Sequence, residues 1–231
     1  MKNSHILYGG ALLLLLIMIS SCAKMDDYKS RFQGDKEISY PGILDSVKVL
    51  PGDKRVMLTG LFTSDPKIVK YQIFWNGRND SLERAITRTQ GIDTVKEMIN
   101  GLPEGGMNFE IRTFDKNGNR SVPVYANGNV YGTNYTSGII NRGLVSSVFD
   151  AATGVLTMNW LEADPTMLFT EISYTSTSNE SKKTKFSDHE AAASMISDYK
   201  PGTEVKYRSA FLPQKNCIDT FYVAKFDQFV K

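Results

Sequence analysis

From residue 44 onward the chain alternates apolar and polar positions in short runs. Ser46-Val47-Lys48-Val49, Arg55-Val56-Met57-Leu58-Thr59, Lys70-Tyr71-Gln72-Ile73-Phe74-Trp75 and Asn108-Phe109-Glu110-Ile111-Arg112-Thr113-Phe114 all have period two. That period predicts half-buried strands, because successive side chains of a strand face opposite sides of the sheet. Gly52-Asp53, Asn76-Gly77, Pro103-Glu104-Gly105-Gly106 and Asn117-Gly118-Asn119 separate such runs and supply the reversals that hairpins need. Within the third run Tyr71, Ile73 and Trp75 share one side, and Gln72, Phe74 and Asn76 the other. One aromatic set is therefore core, with Phe74 or Trp75 the exposed exception and the candidate ring for a ligand, since flat rings stack on sugars. The run Glu190 to Ile196 reads as a short helix or an irregular edge, with Ser187 or Asp188 as the N-cap of a helix. Lys182-Lys183-Thr184-Lys185 reads as a solvated loop or an edge strand.

The pattern recurs. Val56-Met57-Leu58 is answered by Leu156-Thr157-Met158, Ser64-Asp65-Pro66 by Ala163-Asp164-Pro165, and Tyr71-Gln72-Ile73-Phe74 by Thr170-Glu171-Ile172-Ser173-Tyr174, at an offset of about 99 residues. Phe109 to Thr113 is answered by Val205 to Ser209 at an offset of about 96. The reading is all-β, two tandem β-sandwiches over residues 44–132 and 138–231, joined through the polar, glycine-bearing stretch 131–138. The first copy has Gly60 where the second has Trp160, which requires another side chain, Phe62 or Met57, to fill its core.

Ahead of these copies, Lys2 and an apolar run from Ile6 to Ile19 lead to Ile19-Ser20-Ser21-Cys22. This reads as a lipoprotein export signal over residues 1–21. The apolar run is shorter than the roughly 20 residues of a permanent membrane helix. Cys22 is then the lipidation site, and its acyl chains are the membrane contact. Residues 22–43 lack apolar periodicity and read as a flexible tether reaching about 25 Å.

Composition narrows the chemistry. Lys and Arg number 27 against 25 acidic residues, with no concentrated basic face, so no nucleic-acid partner is expected. Cys217 lacks a partner once Cys22 is lipidated, and His189 is the one histidine outside the signal, so neither a disulfide framework nor a zinc site is expected. Asp115-Lys116-Asn117-Gly118-Asn119 starts like a calcium loop but has too few acids, and a hairpin turn is the better reading. Asp188-His189-Glu190 invites a general-base reading that its neighbours do not support. No catalytic residue, metal ligand or cofactor is assigned.

Trp160 closing a second strand, the aromatic strand Tyr71 to Trp75, and Leu102-Pro103-x-Gly105 leading into Phe109-x-Ile111-x-Thr113 resemble a fibronectin type III sandwich, an immunoglobulin-like architecture. Cys22-Ala23-Lys24-Met25-Asp26-Asp27-Tyr28, Tyr40-Pro41-Gly42, Ser64-Asp65-Pro66-Lys67 and Phe114 to Asn119 resemble a Bacteroidota lipoprotein family of unknown function. The second resemblance extends over the whole chain after the signal; it is most specific over residues 22–132 and weakens beyond them, where only the sandwich pattern remains. It implies an outer-membrane lipoprotein, with Lys24, Asp26 and Asp27 directing it to the cell surface. Asp45-Ser46-Val47, Asp80-Ser81-Leu82 and Asp93-Thr94-Val95 resemble the O-glycosylation acceptor of such envelope proteins, at Ser46, Ser81 and Thr94. The function expected is non-enzymatic, adhesion or binding of a glycan or protein. The alternatives are a spacer, an accessory subunit of a surface complex, or an enzyme of unrecognised kind.

Overall fold

Alternation in the first copy produces two sheets that bury one face each. A computed structural model describes residues 39–187 and 191–231. Strands β1 (Asp45–Pro51), β2 (Arg55–Phe62) and β5 (Asp93–Asn100) form one antiparallel sheet in the order β1-β2-β5. Strands β3 (Ile68–Trp75), β4 (Asp80–Ala85), β6 (Gly105–Asp115) and β7 (Val124–Val130) form the other, in the order β4-β3-β6-β7. Val56, Leu58, Phe62, Val95 and Ile99 of the first sheet meet Tyr71, Ile73, Phe109 and Ile111 of the second in one core.

The vacancy at Gly60 is filled, but not as the sequence suggested. A Cβ at Gly60 would lie 2.6 Å from Cγ of Leu44. Leu44, buried just before β1, therefore occupies the space that Trp160 takes in the second copy. Phe62 is core in its own right, and Met57 sits on the opposite, half-exposed side of β2. The expected tether is also shorter than residues 22–43. Pro41 is buried, Gly42 N donates to Asp65 Oδ2 at 2.7 Å, and Thr113 Oγ1 donates to Gly42 O, so residues 41–43 belong to the folded body. Cys22, Lys24, Asp26 and Asp27 lie outside the described residues.

The second copy repeats the scheme. Strands β8 (Leu144–Asp150), β9 (Val155–Trp160) and β12 (Ala193–Ile196) form a sheet in the order β12-β9-β8. Strands β10 (Met167–Thr175), β11 (Ser181–Phe186), β13 (Glu204–Phe211) and β14 (Phe221–Tyr222) run β11-β10-β13-β14, with β15 (Asp227–Val230) also on β13. Trp160 packs edge-on to Tyr207 at 5.1 Å and donates Nε1–H to Ser194 Oγ at 3.0 Å. Lysine-rich β11 is an edge strand, which suits side chains that discourage further pairing. Of the two readings of Glu190 to Ile196, helix and irregular edge, residues 193–196 take the edge: they pair with β9 at the side of the sheet, Ser194 opposite Met158 and Ile196 opposite Leu156. Burial of Ser194 and Ile196 on one side overrides the helix propensity of the alanines. The rest of that site, residues 188–190, lies outside the described residues.

Between the copies the chain is not extended. Thr133–Gly138 forms a short helix, α1. Glu104 accepts from the backbone N–H of Asn134 and Tyr135, each at 2.7 Å. Tyr131, Tyr135 and Phe221 pack edge-to-face with centroids 5.0 to 5.8 Å apart. The loop before β14 docks on the first copy: Ile218 N donates to Pro51 O at 2.8 Å, and Asp219 accepts from Asp53 N and Arg55.

Candidate functional site

The β3–β4 hairpin builds the mouth of a cleft. Asn76, Gly77 and Arg78 all adopt left-handed backbone, with φ of 51°, 61° and 68°. Asparagine and glycine tolerate that region at low cost, arginine less well. The turn is tied by Asn79 N to Asn76 O at 3.1 Å and by Asn76 Nδ2 to Asp80 Oδ2 at 3.0 Å. Arg78 is drawn back over the sheet, where its guanidinium binds Glu110 in a fork at 2.8 and 2.7 Å. Arg112 adds a bond to Glu110 at 2.6 Å, and these arginines, Arg78 first, hold the Glu110 carboxyl below the usual range.

The two aromatic candidates thereby separate. Phe74 lies on the outer face, beneath Arg78, whose guanidinium carbon is 6.0 Å from the ring centre. Trp75 continues the core side of β3 to the strand end, with its ring 6.5 Å from Phe109, half-buried at the opening. It borders a cavity of about 500 Å³ shared with Asn76, Asp80, Asn100, Gly101 and Asn108. Gly101, with φ 71°, provides the reversal after β5, and a Cβ there would touch nothing. Asp80 is the one ionisable side chain on the cavity wall among the described residues, and it already accepts from Asn76.

A second cleft of about 540 Å³ adjoins the first through Gly106, Met107 and Asn108. Its walls include Asn127 and Asn129 of β7 and Gln214 and Asn216 of the loop before β14. Asn108 stands opposite Asn127, and Gly106 opposite Asn129, in the β6–β7 ladder. Sequence reasoning missed these amides because an Asn-Gly pair ordinarily reads as a hairpin turn. Asn127-Gly128 instead lies inside β7, where a Cβ on Gly128 would fall 2.3 Å from Val49 Cγ1. A glycine is required there for β1 to approach.

The remaining sequence candidates disperse. Asp115 accepts from Asn117 N, Asn119 N and Asn119 Nδ2 at 2.8 to 2.9 Å, so its carboxylate serves the turn and its pKa is lowered, chiefly by Asn119. No group of ligands suited to a metal occurs among the described residues. Ser46, Ser81 and Thr94 are exposed on β1, β4 and β5, with Ser46 at a positive φ of 52°. No helix among the described residues is long and apolar enough to cross a membrane.

Comparison with known proteins yields a family model, DUF4998, a domain of unknown function, matching residues 22–221. The match runs through both copies. No curated protein matches the chain. Among solved structures, the chicken CNTN1 FN1–FN3 domains align at 11% identity with a TM-score of 0.43, covering 83% of this chain and 64% of that one. A two-domain fibronectin type III segment of chicken tenascin aligns at 10% identity with a TM-score of 0.31, covering 82% of this chain and 100% of that one.

Proposed function

We propose, for a chain that belongs to the DUF4998 family, a non-enzymatic role: an envelope lipoprotein, anchored through Cys22 and facing the cell surface, whose first sandwich binds a neutral glycan. The observation that carries the reading is Trp75 at the mouth of a cleft whose other polar walls are amides and bare backbone, with Asp80 the single carboxylate among them. An indole face matches the apolar face of a sugar ring, and amides match hydroxyl groups, which donate and accept at once. An anionic ligand would find no Lys or Arg on this wall.

Topology supports the assignment. The chain enters the body at Pro41 to Leu44, beside Asp65 and Thr113, near the start of β3 and the end of β6. The cleft lies at the end of β3 and the start of β6, about 25 Å along an eight-residue strand. The cleft thus lies at the end of the first sandwich opposite the point where the chain enters it at residues 41–44. A second reading, a structural spacer in a surface complex, draws on the docked joint at Arg55 and Asp219.

Affinity electrophoresis and calorimetry of the full chain against a panel of neutral polysaccharides test the proposal. Binding that is lost in Trp75→Ala and kept in Phe74→Ala is the expected result. Absence of binding across the panel, or binding indifferent to Trp75, overturns it.

A further inference from the structure

The geometry points to a chain-like ligand: the Trp75 cleft and the amide cleft beside it form one continuous groove, so the binding site takes a linear neutral oligosaccharide that crosses from the first sandwich onto the second. This inference rests on the glycan reading of the Trp75 cleft and deepens it.

Continuity comes from the backbone. Gly106, Met107 and Asn108 of β6 belong to both walls, and Gly106 leaves the surface open, since it has no side chain and a Cβ there would meet only Asn129 Oδ1 at 4.0 Å. Beyond that saddle come Asn127 and Asn129, then Gln214 and Asn216. Among the described residues, none of these four side-chain amides has a hydrogen-bond partner within the protein. Each is therefore available to a ligand. An exposed, unpaired asparagine alone would mean little. Here the amides converge on one groove from strand β7 and a loop that is distant in sequence.

That loop is fixed rather than free. Cys217 N donates to Gln214 O at 2.9 Å, Ile218 N to Pro51 O at 2.8 Å, and Asp219 is held by Arg55 and Asp53. Gln214 and Asn216 are thus presented to the groove before any ligand arrives, which spares the ordering cost of binding. The groove favours sugar over extended peptide because its walls are nearly free of charge and lack the alternating apolar pockets by which peptide side chains are selected.

The test uses the full chain and a homologous series of linear neutral oligosaccharides, from disaccharide to octasaccharide, of whichever backbone the wild type binds. Affinity is expected to climb with length and then level off. Gln214→Ala combined with Asn216→Ala is expected to cost about tenfold for the longest members, the worth of one or two lost hydrogen bonds, while leaving the disaccharide unchanged. An unchanged melting temperature reports that the double variant is folded in both copies. Equal affinity for short and long members, or a double variant that loses neither, overturns the extended groove while leaving the Trp75 site standing. Loss of both Trp75 dependence and all sugar binding instead overturns the underlying reading. Binding of an extended peptide in the same groove, competing with the octasaccharide and sensitive to Asn216, overturns the choice of ligand.

Discussion

Asp219 lies in the grip of Arg55, 2.9 Å from Nε and also bonded to Nη2, although 164 positions separate the two residues. The same carboxylate accepts from Asp53 N at 2.8 Å. Arg55 is the largest influence holding its pKa below the ordinary aspartate value. A lowered pKa means that the folded state prefers the ionised form. Its contribution is present above the unfolded value of about 4 and is lost as pH falls through the lower folded value. Asp219→Asn is expected to cost about 2 kcal/mol and to flatten the acid limb of a stability-versus-pH profile. An unchanged acid limb would show that the joint does not depend on this carboxylate.

Leu44 and Gly60 should behave as one unit. Leu44→Ala is expected to cost about 3 kcal/mol, because nothing nearby collapses into the space. Gly60→Ala alone forces a Cβ against Leu44 and should also destabilise, whereas in the Leu44→Ala background it should be nearly neutral or favourable. Trp160→Gly in the second copy should cost at least about 3 kcal/mol. Denaturant titrations of the four variants decide this, and additivity of the first pair would contradict the packing described.

Alkaline stability reports on a device present in both copies. Tyr71 O–H donates to Glu97 at 2.6 Å with Arg84 at 3.4 Å from the same carboxylate, and Tyr174 O–H donates to Asp198 at 2.7 Å with Lys182 at 2.6 Å. Burial, then the bond to Asp198, pushes the Tyr174 hydroxyl up to about 12. The neutral phenol is thus favoured in the fold, so its contribution is complete below the unfolded value of about 10 and declines as pH rises toward 12. Tyr174→Phe should lose stability at neutral pH and show a shallower decline above pH 10. A spectrophotometric titration in which every tyrosine ionises near pH 10 would refute the assignment.

Ser46, Ser81 and Thr94 are each exposed beside an aspartate, and at least one is expected to carry a glycan. A bulky sugar on β4, an edge strand, would also screen it from pairing with another chain. Intact mass of protein isolated from its native envelope checks this, and a mass equal to peptide plus acyl chains argues against it.

Cys22→Ala is expected to release the protein from the membrane fraction with its β-sheet spectrum unchanged. Basic and acidic residues nearly balance, leaving no electrostatic substitute for the lipid. Retention of the variant through a carbonate wash would refute the anchor.

Period-two alternation alone located β2, β3 and β6, and the recurrence of Val56-Met57-Leu58 as Leu156-Thr157-Met158 anticipated that β2 and β9 are counterparts with the same buried side. Strand identity is a local property: the side-chain period follows from backbone geometry and is written in consecutive residues. The same holds for the Asp115 turn, whose donors lie within four residues. What fills a vacancy is not local. Leu44 covers Gly60, Val49 requires Gly128, and strand pairing claims residues 193–196 against their helix propensity, each through a contact that sequence order does not display. The groove belongs to this second class. Trp75 was visible as a candidate ring from its place in β3, but the amides of Asn108, Asn127 and Asn216 come together only because β6, β7 and a docked loop share one surface, and that convergence is a product of tertiary packing.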